Sequence, residues 1–449
     1  MNKNLLNLSP LDGRYVNDVM ELNAFFSEMS LMQYRIKIEI EYLIALSNEK
    51  KIEHIEPLNN KEIDDLRKIY LHFDFSEAEK IKKIEKEINH DVKAVEYYLH
   101  KKIKKKLHPW IHFGLTSEDI NNLCYTLMWK DAIDNEFIKT LTKLCDELTL
   151  ISKKYKNISM LALTHGQPAS PTTVGKEFAV FASRIAKSLK SLKKHKFEAK
   201  FNGATGNWSA HSISFRKVNW IEFSKKLLIS FNLKPNLITT QVEPNDSLAE
   251  SFHQIVRINS ILIDFCQDIW LYISRGVFKQ KQIATEVGSS TMPHKINPIN
   301  FENAEGNLGL GNSILNHLAM KLSISRMQRD LSGSTVIRNH GVGLGHSYLA
   351  LKNILKGLQR LSINEKLLKS ELNEHWEILA EPIQTILRKY GKENAYEELK
   401  KITRGEKINS VSIKNFIINL DLNDKDKAIL LNLSPQNYIG LAPILTEKL

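Results

Sequence analysis

The sequence predicts an all-α protein with three helical domains around a central bundle of long helices. Glycine and proline number only 19 and 12 among 449 residues, which favours helix. Apolar residues also recur three and four positions apart over very long stretches, such as residues 117–151. Such long periodic runs are typical of helical bundles.

The first predicted domain, residues 1–110, contains helices of medium length. Leu31, Tyr34 and Ile38 have the spacing of one helical face. A lysine-rich segment at 101–106 and then Pro109 interrupt the pattern, and we place the first domain boundary there.

The second predicted domain, residues 111–363, contains the long helices. Thr116 and Asp119 form a capping-box pattern, after which apolar spacing continues for roughly 35 residues, or about 50 Å of helix. A break follows at 160–171. A second capping-box pattern at 247–250 predicts another long helix, and two more are expected around 308–324 and 346–361. Several apolar stripes would remain uncovered, so we expect oligomerisation.

The third predicted domain, residues 364–449, is a smaller helical cap.

Charge and composition argue against nucleic-acid binding and membrane insertion for the whole chain. The net charge of +12 comes partly from lysine runs beside helical apolar positions, which we interpret as solvated helix faces rather than a nucleic-acid site. The longest apolar stretch, 261–273, contains two aspartates, so no membrane span is predicted.

The cysteines and the N-terminus indicate a cytoplasmic protein. Cys124, Cys145 and Cys266 stand among helical apolar residues without metal-ligand spacing, so we expect reduced core thiols. The first ten residues lack the features of a signal peptide.

Four polar clusters in predicted loops or at helix ends carry groups suited to acid–base chemistry on a polyanion. A histidine can transfer protons, a lysine beside hydroxyls can stabilise an anion, and arginines bind phosphate or carboxylate. We expect neither a metal nor a nucleophile triad. The clusters are Thr116–Ser117, Thr164–His165, the 288–298 loop with Ser289, Ser290, Lys295 and Asn297, and 326–329.

The loop pattern Gly-Ser-Ser-x-Met-Pro-x-Lys-x-Asn-Pro at 288–298 resembles the signature of the aspartase/fumarase superfamily, whose members release fumarate from succinyl compounds. Further stretches resemble its bacterial adenylosuccinate lyase family, and together they cover essentially the whole chain. They are residues 9–15, 89–96, 116–121, 164–169, 327–331 and 381–385.

The resemblance implies a β-elimination without a cofactor. It assigns Ser289 as the base and His165 as the general acid, with Glu302 accepting a hydrogen bond from His165. Lys295 would stabilise the serine anion and the developing dianion. Ser290 is the rival base, because spacing does not separate the two serines.

The resemblance also implies a nucleotide substrate and a homotetramer in which three subunits build each active site. His90 is as compatible with a structural role as with a place near the phosphate. Ser332–Gly333 departs from the Thr-Asp expected in the loop before Ser334, which leaves the contacts of Ser334 and Arg338 less certain. The implied substrate-binding residues are Arg14, Tyr15, Asn89, His90, Asp91, Thr116, Ser117, Gln241, Ser290, Asn297, Asn303, Arg329, Ser334 and Arg338.

Two alternative functions stay open on the sequence. Another lyase of the superfamily, such as argininosuccinate lyase, fumarase or aspartase, would share the 288–298 loop but not the nucleotide-type stretches at 9–15 and 89–96. A helical scaffold or nucleic-acid-binding protein could use the lysine faces, but it would leave the loop and His165 unexplained.

Overall fold

A computed structural model describes residues 3–281, 291–292, 294–392, 397 and 408–449. The predicted helical class is confirmed in its main feature, because helices dominate this part of the chain. Three two-stranded sheets, which the sequence analysis did not predict, accompany them. The chain divides into two compact units. Unit 1 comprises Met1–Thr140, Ser188–Ser260 and Gly306–Lys352, and unit 2 comprises Leu141–Lys187, Ile261–Glu305 and Asn353–Leu449.

The N-terminal helices range from four to 21 residues, so only some of them have the medium length that was predicted. In order they are α1 (Val16–Val19), α2 (Asn23–Phe26), α3 (Glu28–Asn48), α4 (Asn60–Leu71), α5 (Phe75–Ile88) and α6 (Asp91–Lys102). Much of the positive charge of the lysine-rich segment is neutralised by ion pairs. Lys102, Lys104 and Lys106 pair with the carboxylates of Glu77, Glu62 and Glu56, respectively.

The longest helical run begins where the capping pattern predicted. It consists of α7 (Ser117–Ala132), a π-helical turn (Ile133–Phe137) and α8 (Ile138–Lys154). The expected break after it contains a β-hairpin, β1 (Ser159–Thr164) and β2 (Gln167–Thr173). This hairpin was not predicted from the sequence, because strands of six and seven residues give little periodic signal.

The remaining central elements are mostly long helices. They are α9 (Val174–Lys194), β3 (Glu198–Ala199), α10 (Ser209–Ser214), α11 (Trp220–Ser230), β4 (Lys234–Pro235), α12 (Asp246–Ser274), β5 (Phe278–Gln280), α13 (Ile299–Leu322), α14 (Ser332–Ile337) and α15 (His340–Gln359). The prediction of a second capping box was wrong, although the long helix itself is present. This helix, α12, begins at Asp246, and the Ser247 hydroxyl accepts a hydrogen bond from the Glu198 amide.

The C-terminal elements form a core of their own within unit 2. They are β6 (Leu361–Ile363), α16 (Glu365–Glu374), α17 (Ala380–Lys389), α18 (Ser410–Ile418), α19 (Asp424–Leu431) and α20 (Ala442–Thr446). Leu372, Ile383, Ile413 and Leu430 are buried together with Leu161 of β1. Burial of these aliphatic side chains stabilises the association of the hairpin with the C-terminal helices.

Cys124, Cys145 and Cys266 are buried thiols outside any disulfide bond, as predicted. Among the described residues, no helix combines the length and apolarity that crossing a membrane requires.

Candidate active site

The N-terminus of α7 presents Thr116 and Ser117. Asp119 reaches back so that its Oδ2 accepts a hydrogen bond from the Thr116 amide at 2.9 Å, as the capping pattern predicted. The first amides of a helix lack intrahelical partners and attract anions. The two hydroxyls therefore stand at a position suited to a carboxylate or phosphate.

A second cluster forms around Asp91, the first residue of α6. Its Oδ2 lies 2.6 Å from Nη2 of Arg35 and 3.2 Å from Nη2 of Arg338. Burial opposes ionisation of this carboxyl, but the two guanidiniums outweigh it and hold its pKa at about 2. Asp91 is therefore an anion at neutral pH and fixes both arginines.

His90 does not form a dyad with Asp91, as expected for adjacent residues. His90 Nδ1 lies 4.0 Å from Oδ1 of Asp91, and it accepts a hydrogen bond from the Lys93 amide at the start of α6. Asn89, just before it, ends α5 in a left-handed conformation with φ 54°. The local geometry of His90 is thus that of a helix cap.

Arg329 connects two predicted binding segments. Its Nη1 donates to Oε1 of Gln241 at 3.1 Å, and its Nη2 lies 3.2 Å from Oε2 of Glu118. Glu118 follows Ser117 directly, so Arg329 ties the α7 N-terminus to the Gln241 segment. Burial raises the pKa of Glu118, while Arg329 opposes that rise.

A cleft beside these groups is lined by both apolar and polar side chains. It contains Ser334 and Gly333, which lie in the short helix α14 and not in a loop, as the sequence analysis had assumed. Asp330, two residues before α14 begins, accepts hydrogen bonds from the amide and the hydroxyl of Ser332. The other lining residues include Tyr125, Val242, Asn245, Leu322 and Ile337.

Arg14 and Tyr15 immediately precede α1. The guanidinium carbon of Arg14 lies 5.9 Å from the centre of the Tyr15 ring, which is cation–π distance.

Glu243 is a buried carboxyl two residues beyond Gln241. It is 3% exposed, and it accepts hydrogen bonds from the side chain of Asn236 at 2.9 Å and from the amide of Asn245 at 2.6 Å. Burial raises its pKa to about 7, although both donors oppose the rise. Because Asn245 lines the cleft with φ 61°, Glu243 holds one wall of the cleft in an unusual backbone conformation.

This pKa predicts a pH dependence of folding stability. The folded-state pKa lies above the unfolded value of 4.5, so Glu243 contributes stability below pH 4.5 that is lost as the pH rises through about 7. As the pH rises from 5 to 8, we expect the free energy of unfolding of Glu243→Gln to increase by roughly 2–3 kcal/mol relative to that of the wild type. Urea unfolding at several pH values measures this, with the exposed Glu250→Gln as the control. Parallel pH profiles of Glu243→Gln and wild type would contradict the assignment.

His165 lies in unit 2, in the two-residue turn of the β1–β2 hairpin. Both turn residues, His165 and Gly166, have positive φ, 54° and 73°, which is the signature of a type I′ turn. The imidazole is exposed. The hairpin thus holds a proton-transfer group on a tight, well-defined tip.

Four other predicted site residues of unit 2, the catalytic Lys295 and Glu302 and the substrate-binding Asn297 and Asn303, lie just before α13 or near its N-terminus. Lys295 is exposed, and Glu302 accepts a hydrogen bond from Nε1 of Trp270 at 3.0 Å. Asn303 accepts a hydrogen bond from Asn353 at 2.9 Å, and Asn297 is half-buried. The hydrogen bond between Glu302 and His165 stays a prediction. Ser289 and Ser290 lie outside the described residues.

Sequence reasoning missed Arg35, Asn121 and Glu118. Arg35 is 3% exposed and donates to Asn121 as well as to Asp91. A single arginine among the apolar residues of α3 is a signal that could have marked it, because a fully buried arginine needs an anionic partner. Glu118 had been treated only as part of a helix start.

Metal ligation has no candidate in this part of the chain: within the described residues, no three His, Cys, Asp or Glu side chains are grouped to hold an ion.

Comparison with known proteins identifies relatives along the whole chain. Residues 13–310 match a family described as Lyase, and residues 325–439 match one described as adenylosuccinate lyase C-terminal. The chain is 48% identical over 445 residues to an adenylosuccinate lyase of Legionella pneumophila and 45% identical over 447 residues to one of Escherichia coli strain K12. Each alignment covers 98% of both chains.

The solved structures extend this likeness to the fold. A fumarate lyase from Mesorhizobium sp. BNC1 superposes with a TM-score of 0.75 at 16% identity, covering 96% of this chain and 97% of that one. A 3-carboxy-cis,cis-muconate lactonizing enzyme from Pseudomonas putida gives 0.74 at 18% identity. At these identities the likeness concerns the fold alone.

Proposed function

The chain belongs to the adenylosuccinate lyase family, and from that premise we propose that it cleaves adenylosuccinate to AMP and fumarate. We further propose that it cleaves the succinylaminoimidazole carboxamide ribotide (SAICAR) to AICAR and fumarate in purine nucleotide biosynthesis. Full-length identity of 45–48% to adenylosuccinate lyases is the observation that carries this proposal.

The charges of unit 1 fit such a substrate. Adenylosuccinate has one phosphate and two carboxylates, and arginines bind both groups through paired hydrogen bonds. Glu118 and Gln241 hold Arg329 beside the α7 N-terminus, and Asp91 holds Arg338. We assign these groups, together with Arg14, Tyr15 and Ser334, to the nucleotide and carboxylate contacts.

The proposed chemistry is a β-elimination. Ser289 Oγ, as the alkoxide, removes a proton from the carbon next to a carboxylate, and the electron pair left behind spreads into that carboxylate. The C–N bond then breaks, a C=C bond forms in fumarate, and His165 donates a proton to the departing nitrogen. Lys295 would stabilise both the serine anion and the carbanion. Ser290 is the alternative base.

We propose that the enzyme acts in the cytoplasm as a homotetramer with shared active sites. Leu310 and Met320 on α13 are 54% and 70% exposed, which supports a covered helix face in the assembly. We likewise propose that the chain forms three domains, with boundaries at 110/111 and 363/364.

An absorbance assay with both substrates tests the proposed function. Wild-type enzyme should release fumarate from adenylosuccinate and from SAICAR, and should be inactive with argininosuccinate, malate and aspartate. Turnover of one of the latter three, with neither nucleotide cleaved, would instead assign another reaction of the superfamily. Tight, salt-dependent binding to generic DNA, with no lyase activity, would favour the nucleic-acid alternative.

A further inference from the structure

A fully buried ion pair lies behind the proposed substrate contacts of unit 1. Nζ of Lys200 is 3.0 Å from Oδ1 of Asp119, and both side chains are 0% exposed. Neither residue is among the predicted binding residues. Asp119 had been interpreted only as the capping residue of α7.

Asp119 joins two segments of the chain. Its Oδ2 accepts the hydrogen bond from the Thr116 amide, while Oδ1 accepts from the amides of Asn202 at 3.0 Å and Gly203 at 3.2 Å. Lys200 Nζ also donates to the Gly203 carbonyl at 2.9 Å. The ion pair therefore fixes residues 200–206, named here the 200–206 segment, against the start of α7.

The 200–206 segment in turn supports Gln241. The Ala204 carbonyl accepts a hydrogen bond from Nε2 of Gln241 at 2.9 Å, and the Asn202 side chain donates to Oγ1 of Thr239 at 2.8 Å. At Gly206, φ is +77° and a Cβ atom would lie 2.2 Å from the Thr239 carbonyl oxygen, so only glycine permits this approach. The segment thus links Thr116–Ser117 to Gln241, the partner of Arg329.

Burial of an ion pair is not by itself evidence that the pair stabilises the fold. Removing two charges from water is costly, and a buried pair often stabilises no more than apolar side chains of similar size. Burial lowers the pKa of Lys200 even though Asp119 opposes the shift. The geometry that the pair imposes is the better explanation for it.

We propose that Asp119 and Lys200 are positioning residues, which hold the Thr116–Ser117 and Gln241–Arg329 groups at the spacing that the substrate's anionic groups require. This inference rests on the proposed function. Because both side chains are 0% exposed, we place neither in contact with the reacting atoms. Their loss should therefore weaken substrate binding more than it slows the chemistry.

The test is the double variant Asp119→Asn/Lys200→Met, which removes both charges at similar volume. We expect its KM for adenylosuccinate to rise tenfold or more, with kcat within about threefold of wild type. The matched control is Glu198→Gln/Lys234→Met, which removes an ion pair of the same unit whose side chains are 25% and 64% exposed. The control should keep the wild-type KM. A wild-type KM in the folded Asp119→Asn/Lys200→Met enzyme would overturn the proposal.

Asn202→Ala keeps the experiment decisive if the double variant does not fold. It removes the hydrogen bond to Thr239 and leaves the buried charges in place. A several-fold rise in KM supports the positioning role, and an unchanged KM overturns it. Wild-type enzyme is assayed first: no turnover of adenylosuccinate would refute the proposed function itself, before any variant is compared.

Discussion

Replacing His165 by asparagine should lower kcat for adenylosuccinate by about 10²–10⁴-fold, the usual contribution of a general acid. The amide N–H of asparagine is far too weak an acid to protonate the departing nitrogen. Asparagine also suits the backbone, because Asn-Gly is the favoured pair in the type I′ turn that His165 and Gly166 form. The loss should therefore come without a loss of stability, as stopped-time fumarate assays and thermal melts would show.

The control for this variant is His72→Asn, which changes an exposed histidine at the C-terminal end of α4. It should keep wild-type kcat and KM. If His165→Asn retained more than about a tenth of wild-type kcat, His165 would not be the general acid.

The same assay tests which serine is the base. If Ser289 is the base, Ser289→Ala should be nearly inactive and Ser290→Ala should retain turnover.

The sequence predicted the helical scaffold because long helices leave long periodic patterns. The run from Ser117 to Lys154 was anticipated in both its start and its length. The hairpin that carries His165 was not, since its strands have only six and seven residues and its turn was recognised only as a break. Ser247 illustrates a further limit: its hydroxyl pairs with Glu198, far away in sequence, and tertiary contact overrides a local capping pattern.

The candidate site was partly predictable, because local sequence patterns mark some of its residues. Residues in loop motifs, such as Ser117, Gln241 and Arg329, could be recognised and lie together in unit 1. The groups that orient them could not, because Arg35 reaches Asp91 from a different helix, 56 residues away along the chain. A pattern of neighbours in sequence carries no record of such a contact. Lys200 was missed for the same reason, since its partner Asp119 lies far from it along the chain.

Mixing two inactive variants should restore activity, because the proposed active site takes its residues from different subunits. We expect His165→Asn and Ser289→Ala enzymes to be nearly inactive alone. After the two are unfolded together and refolded, random assembly would give roughly one site in four an intact histidine and an intact serine from two different subunits. Recovered kcat should therefore approach a quarter of the wild-type value.

A mixture of His165→Asn with His165→Ala is the matched control, since no combination of these subunits supplies an imidazole. It should stay inactive at every ratio. The mixing ratio provides a further test, because the recovered activity should be highest at equal amounts of His165→Asn and Ser289→Ala enzyme. A flat, inactive response, with mixed tetramers demonstrated by mass spectrometry, would mean that one subunit provides both His165 and Ser289. The shared-site proposal would then be wrong, while the chemical roles of the two residues could still stand.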